Sequence, residues 1–168
     1  MRAGTEPVRI DRNVLAELYA RHANEALRLA YLLTGDATTA EDLVQDAFVR
    51  MAGRLLHLRD PGGFHAYLRV TVVNLSRSYH RRRKIERSYA ERRVVFASEA
   101  PPDLSDREEL RDALMALPIR QRTAVVLRYC EDLSEAQTAE LMHCRPTAVR
   151  SLVARGVGTL RGSLKEGD

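Results

Sequence analysis

The sequence predicts an all-α protein made of two small helical domains joined by a flexible linker, with a helix-turn-helix at the C-terminal end. Apolar residues recur every three to four positions through most of the 168 residues, which is the helical period. The stretch from Phe96 to Leu104 has paired prolines and no periodicity, as linkers do. Aromatic residues make up 5% of the chain, which suits small helical cores. We therefore expect one domain at residues 1–95, a linker at 96–104 that leaves the spacing of the domains open, and a second domain at 105–168.

Three long helices are predicted for the first domain. The first runs from about Asp11 to Thr34 and ends at Gly35, since glycine tolerates the left-handed conformation of a helix end. Asp36 caps the second helix, and the third begins at Phe64 after the helix-breaking segment Asp60–Gly63. The second helix has an acidic outer face. Such a face is usually solvated surface, but its single sign of charge favours a basic protein partner. The face comprises Glu41, Asp42, Gln45 and Asp46.

The third helix carries polar and aromatic side chains and continues into a basic segment. Between Arg77 and Arg93 there are eight basic and two acidic residues, a local charge of +6 in a chain whose net charge is +4. Concentrated positive charge indicates a nucleic-acid contact, and interleaved rings and guanidinium groups suit single-stranded DNA. Phe64 is expected in the core, whereas core and base-stacking positions both remain open for Tyr67 and Tyr79. The candidate strand-binding residues are Arg69, Asn74, Arg77, Arg81, Arg82 and Arg83, with Lys84 beside them.

Helix-start signals recur through the second domain. A capping box at Ser105–Glu108 opens its first helix, and Pro118 starts a helix that continues to about Cys130. Ser134 then caps the first helix of the helix-turn-helix, with Gln137 reaching back to the cap amide. The second helix of this motif begins at Pro146, whose missing N–H would be unpaired there anyway.

The last helix has a polar and basic face of the kind that enters a major groove. A helical hairpin without a DNA role has similar caps and stripes, so the pattern does not exclude that alternative. The turn His143–Arg145 also lacks the glycine often found in this motif. The candidate groove residues are Arg145, Thr147, Ala148, Arg150, Ser151 and Arg155, with Ala154 nearby.

Several function classes are disfavoured by composition. The chain has no long apolar run, and Met1–Arg12 lacks the apolar stretch of a signal peptide, so we expect a cytoplasmic protein without membrane insertion. Cys130 and Cys144 are expected to be structural thiols, because with His143 they offer too few metal ligands at poor spacing. The five histidines are scattered, and no catalytic triad or phosphate-binding glycine loop is present. We therefore expect no enzyme activity, no cofactor and no metal.

Four separate motifs occur along the chain, at Leu29–Asp36, Ala40–Phe48, Tyr67–Arg83 and Leu117–Ser134. Together they resemble a bacterial extracytoplasmic-function sigma factor of the sigma-70 family. Members of this family keep only the two domains called regions 2 and 4, in the order and with the linker position seen here. The resemblance covers nearly the whole chain.

The resemblance implies roles for each surface. The acidic second helix would dock on the coiled coil of the β′ subunit of core RNA polymerase, with β as a further contact. The third helix and the His57–Gly63 loop would read the minus-10 element and hold a flipped base. The helix-turn-helix would read the minus-35 element, and an anti-sigma factor is an expected partner. Two departures bear on recognition: the family usually has Gly-Cys-Ser where this chain has His143–Arg145, and often Arg where it has Leu152. The rival interpretation is a stand-alone helix-turn-helix regulator, which leaves the acidic face and the basic helix unexplained.

Overall fold

The computed structural model describes residues 12–55, 63–89 and 108–165. These residues form seven α-helices and one short π-helical segment, and the described part of the chain contains no strand. Most of the predicted loop at His57–Gly63, the linker at 96–104 and Ser105 of the predicted capping box lie outside the described residues. The helices are α1 (Arg12–Thr34), α2 (Ala37–Leu55), α3 (Phe64–Tyr89), α4 (Glu108–Ala116), α5 (Ile119–Val125), α6 (Glu135–Met142) and α7 (Pro146–Lys165), with the π-helical segment at Val126–Cys130 between α5 and α6.

Helices α1, α2 and α3 pack together as the first lobe. Gly35 has a φ of +74°, and the Asp36 carboxylate accepts a hydrogen bond from the Thr39 amide at 2.7 Å, which confirms both predicted helix boundaries. Phe64 is buried as expected. Tyr67 and Tyr79 are half-buried against the core, and each hydroxyl accepts a hydrogen bond from an arginine of the same lobe. The apolar interior of this lobe is built around Leu29, Leu33, Val44, Met51, Phe64, Leu68 and Val72.

The second lobe consists of α4 to α7. The Ser134 hydroxyl accepts from the Gln137 amide at 3.1 Å and the Gln137 side chain accepts from the Ser134 amide at 2.9 Å, so the predicted capping box is present. Pro146 is the first residue of α7. The helix expected to run from Pro118 to about Cys130 reaches that residue, but its last five residues widen into the π-helical segment.

The two lobes are in direct contact. The end of α1 packs against α4, α5 and the π-helical segment, and the buried apolar residues of both lobes form a continuous cluster. Gly35 lies at this junction, where an added Cβ would stand 2.3 Å from the Met115 sulfur. The predicted flexible tether lies outside the described residues and stays a prediction, whereas the described parts of the two lobes are in contact.

Candidate nucleic-acid and protein interfaces

The C-terminal carbonyls of α1 are bound by arginines of the second lobe. The last turn of α1 contains no basic residue. Arg122 donates from Nη1 to the Leu33 carbonyl at 2.9 Å, and Arg111 donates to the Gly35 carbonyl from Nε at 3.1 Å and from Nη2 at 2.7 Å. Carbonyls at a helix C-terminus lack partners in their own helix and carry partial negative charge, so cations stabilise them. The second lobe therefore caps a helix of the first lobe.

Arg122 is a buried charge, with 8% of its surface exposed. Besides Leu33, its guanidinium donates to the carbonyls of Leu114 at 2.9 Å, Met115 at 3.1 Å and Leu117 at 3.3 Å. Burial lowers the pKa of Arg122, but an arginine remains protonated at physiological pH. The four carbonyls supply the hydrogen bonds that a buried cation needs.

His80 of α3 completes this junction. Its Nε2 lies 2.9 Å from the same Leu33 carbonyl, which makes Nε2–H the donor. Burial is the largest influence and lowers the pKa of His80; the bond to Leu33 raises it, and the charges of Arg122, Arg83 and Arg87 lower it. Folding therefore shifts His80 toward its neutral form.

The predicted strand-binding face of α3 is turned toward the second lobe. Arg69 donates from Nε to Glu131 Oε2 at 2.7 Å, and these two side chains are 17% and 15% exposed. Arg77 donates from Nη2 to the Leu141 carbonyl at 2.8 Å. Asn74 is exposed and lines a crevice of about 310 Å³ whose opposite wall belongs to the second lobe. The structure thus brings the three residues to the same side of α3. Arg69 and Arg77 bind the second lobe there, and Asn74 faces it across the crevice.

The basic end of α3 borders a larger cleft between the lobes. Arg81, Arg82 and Lys84 are exposed, whereas Arg83 is half-buried with its guanidinium 5.6 Å from the centre of the Tyr79 ring. The cleft has a volume of about 440 Å³. Its basic rim includes Arg77, Arg81, Lys84 and Arg120, and its floor includes Leu33, Val73, Ile119 and Met142.

The acidic face of α2 lies on the surface of the first lobe. Glu41, Asp42 and Gln45 are exposed, and Asp46 pairs with Arg50 one turn later at 3.2 Å. Val49, which sequence reasoning did not single out, is 71% exposed one turn beyond Gln45. Val49 lies four residues after Gln45 and therefore on the same face of α2, outside the buried apolar stripe. This spacing could have identified it from the sequence. An exposed valine beside carboxylates adds an apolar element to this surface.

The predicted groove residues of α7 lie on the surface. Arg145, Thr147, Ser151 and Arg155 are exposed, and Ala148 is half-buried. The exposed Arg150 forms two hydrogen bonds to Glu135 of α6, from Nε at 3.2 Å and from Nη2 at 2.9 Å.

The turn of the helix-turn-helix adopts the conformation that glycine usually provides. His143 has a φ of +50°, so the absence of glycine noted in the sequence is accommodated by a strained histidine.

Two histidines that are far apart in the sequence lie side by side. The rings of His22 and His65 have centroids 5.4 Å apart, and His65 Nε2 lies 2.8 Å from Glu25 Oε2. The histidines are scattered along the sequence, but the fold brings this pair together. Among the described residues this trio is the group whose side chains approach as metal ligands would, and Cys130, His143 and Cys144 do not join such a group.

The chain matches known families along both lobes. Residues 18–85 match the family "Sigma-70 region 2" and residues 107–160 match "Sigma-70, region 4". An RNA polymerase sigma-E factor of Streptomyces avermitilis is 34% identical over 154 residues, covering 90% of this chain and 86% of the relative. An ECF RNA polymerase sigma factor SigE of Mycolicibacterium smegmatis is 33% identical, covering 88% of this chain and 60% of the relative. The solved sigma factor RpoE of Bartonella quintana, in complex with the anti-sigma factor NepR, superposes with a TM-score of 0.73 at 23% identity, covering 89% of this chain and 96% of that one.

These matches define an all-α protein of the sigma-70 family with regions 2 and 4. The chain belongs to that family as an extracytoplasmic-function RNA polymerase sigma factor, which confirms the resemblance drawn from its motifs. The first lobe contains region 2 and the second contains region 4. No helix within the described residues is long and apolar enough to cross a membrane.

Proposed function

We propose that this sigma factor initiates transcription by docking on core RNA polymerase through α2 and by reading promoter DNA through α3 and α7. We further propose that the lobe arrangement described above is a closed state, in which α3 is withheld from DNA. The closed state is proposed because Arg69 and Arg77 of α3 bind the second lobe. The protein acts without catalysing a reaction itself, and its site of action is the cytoplasm.

Docking through α2 is supported by charge and exposure. Glu41, Asp42 and Asp46 present one sign of charge on the surface of α2, with the neutral Gln45 beside them. The proposed acceptor is the coiled coil of β′, with a further contact on β. Complementary charge would speed association, and Val49 would add apolar area at one end of the contact.

Promoter reading is divided between the lobes. In α3, Arg69, Asn74 and Arg77 would contact the unpaired minus-10 strand, and Arg81, Arg82 and Arg83 would contact neighbouring phosphates. In α7, the exposed face that contains Arg145, Thr147, Ala148, Arg150, Ser151 and Arg155 would enter the major groove of the minus-35 element. Base contacts specify sequence and phosphate contacts position the protein, so the two sets should fail differently when mutated.

The closed state follows from competition for the same groups. An arginine fork that is engaged by a carboxylate at 2.7 Å cannot also bind a base or a phosphate with that edge. Minus-10 contact therefore requires the lobes to part. Core polymerase supplies the driving force if it binds each lobe better when they are separated.

An anti-sigma factor is a proposed partner of the closed state. The cleft of about 440 Å³ has walls from both lobes, an apolar floor and a basic rim. An amphipathic segment with acidic flanks would fit it and hold the lobes together. The RpoE neighbour from Bartonella quintana was solved with such a protein, NepR, which motivates the search for one here.

Transcription with purified core polymerase tests the proposal. The wild-type chain should direct core polymerase to specific start sites and bind promoter DNA weakly by itself. Asp42→Lys should weaken core binding, because like charges would then oppose each other across the interface. Glu17→Lys, an equal charge reversal on the exposed surface of α1, is the matched control.

A stand-alone helix-turn-helix regulator gives the opposite result. It would bind duplex DNA tightly without polymerase, and Asp42→Lys would leave its activity unchanged.

A further inference from the structure

Helices α1 and α3 place three potential metal ligands at one point on the first lobe. His22 and Glu25 are three residues apart on α1 and therefore share a face. His65, in the first turn of α3, meets them from the side. One ligand atom from each of the three residues can be chosen so that all lie within 4.8 Å of one another.

The donor set has the chemistry of a transition-metal site. Two imidazoles and a carboxylate bind Zn²⁺ and similar ions at about 2.0–2.2 Å, with a fourth position left for solvent. Ligand atoms around such an ion are roughly 3.3 Å apart if tetrahedral geometry is combined with those bond lengths. The Glu25 and His65 atoms, now 2.8 Å apart, need only a small separation to admit the ion.

The surrounding residues position the ligands. The His22 ring packs against Phe64, with centroids 5.4 Å apart, and Phe64 is buried in the core. His22 and His65 are half-buried, whereas Glu25 is exposed and gives an ion access from solvent. The sequence conceals this arrangement, because 43 positions separate the two histidines.

We propose that His22, Glu25 and His65 form a binding site for one divalent transition-metal ion of the zinc class. The site lies on the first lobe, apart from the acidic face of α2 and from the groove face of α7. None of its three ligands is among the residues proposed to contact the promoter.

Arg69 links the site to the junction between the lobes. Its Nη2 lies 3.4 Å from His65 Nδ1, and a guanidinium can only donate, so His65 Nδ1 is the acceptor and its Nε2–H points to Glu25. An ion bound at Nε2 would move that proton to Nδ1. Arg69 would then lose its acceptor on His65, so occupancy should be favoured when Arg69 is removed.

The test is metal titration of the tag-free, full-length chain after treatment with a chelator. Calorimetry with Zn²⁺ and visible absorption with Co²⁺ should both give one ion per chain. Glu25→Gln and His65→Gln should each weaken binding more than about tenfold, since loss of even supporting groups at metal sites costs that much. Arg69→Gln should bind at least as tightly as the wild type.

Two controls separate this site from adventitious binding. His143→Ala and the pair Cys130→Ser with Cys144→Ser remove the other accessible soft ligands of the second lobe, and they should bind as the wild type does. Circular dichroism on each variant checks the fold, and Glu25→Gln, an isosteric change at an exposed position, remains informative if His65→Gln fails to fold. Absence of stoichiometric binding, unchanged affinity in Glu25→Gln, or loss of binding in the control variants would overturn the proposal.

Discussion

Replacing Glu131 is the most direct way to open the proposed closed state. Glu131 lies in the second lobe and outside the residues proposed to contact DNA, so its loss does not damage the DNA-binding surface. Glu131→Ala removes the acceptor of Arg69, and Glu131→Gln keeps an oxygen acceptor while removing its charge. Both changes should release Arg69 and shift the chain toward separated lobes.

The magnitude follows from the geometry of this ion pair. The bond of 2.7 Å joins side chains that are each less than one fifth exposed, so water replaces the missing partner poorly. A hydrogen bond between charged groups contributes about 1.5–3 kcal/mol. Since about 1.4 kcal/mol is tenfold, the ratio of closed to open molecules should fall by roughly 10- to 100-fold, with Glu131→Gln at the lower end.

Binding of a labelled minus-10 single strand by the free protein measures the shift. If open molecules are the rare, binding-competent form, the apparent affinity rises by the same factor as their population. Fluorescence anisotropy gives the affinity, and small-angle scattering should show a larger radius of gyration. Asp46→Asn, which breaks an ion pair within α2 alone, is the matched control and should change neither.

One result would refute this reasoning. A folded Glu131→Ala protein with unchanged strand affinity and an unchanged scattering profile would mean that the pair does not hold the lobes together. In that case the contacts of Arg111 and Arg122 with the end of α1 would be the ones that keep α3 from DNA.

Three further predictions concern the other surfaces. Replacing the arginines at 81–83 with alanine should weaken promoter binding by the holoenzyme. The slope of log binding constant against log salt concentration should fall in magnitude by up to roughly 0.7–0.9 for each phosphate that the protein no longer neutralises. An unchanged slope over a salt titration would contradict this. Arg150→Ala should relax base preference at one position of the minus-35 element and lower the binding free energy for the preferred base by about 1–3 kcal/mol, measured in a binding assay with variant sites. Glu135→Gln, which weakens the hold of Glu135 on Arg150, should not weaken binding. Folding lowers the pKa of His80, so the unfolded chain binds more protons than the folded chain below about pH 6.5. His80 therefore contributes to the free energy of unfolding above that pH, and this contribution is lost as the pH falls toward the folded pKa. His80→Gln should therefore flatten the decline of unfolding free energy from pH 7.5 to 5.5, and an equally steep decline would assign it to other groups.

Helix boundaries were predictable because their determinants are local. Ser134 and Gln137 are three residues apart and satisfy each other's backbone amides, and Gly35 followed by Asp36 ends one helix and starts the next. The π-helical segment at Val126–Cys130 has no comparable local signal in the sequence. It depends on how α5 packs against its neighbours, which a hydrophobic period does not encode.

The contacts between the lobes were not predictable from the same patterns. They join residues 62 to 89 positions apart and use arginine side chains bound to a carboxylate or to backbone carbonyls of a distant element. Sequence reasoning recognised Arg69 and Arg77 as functional candidates but assigned them only to DNA. For the same reason it missed His22 and His65, because two histidines on different helices have no shared spacing.

The ring of carbonyls around Arg122 makes separation of the lobes reversible. When the lobes part, the guanidinium gives up the Leu33 carbonyl but keeps those of Leu114, Met115 and Leu117, which belong to its own lobe. No uncompensated charge is created, and the released α1 carbonyl can be hydrated by water. In the proposed opening, Arg122 would stay in position to bind the end of α1 again, so neither lobe would need to refold between the promoter-bound and resting forms.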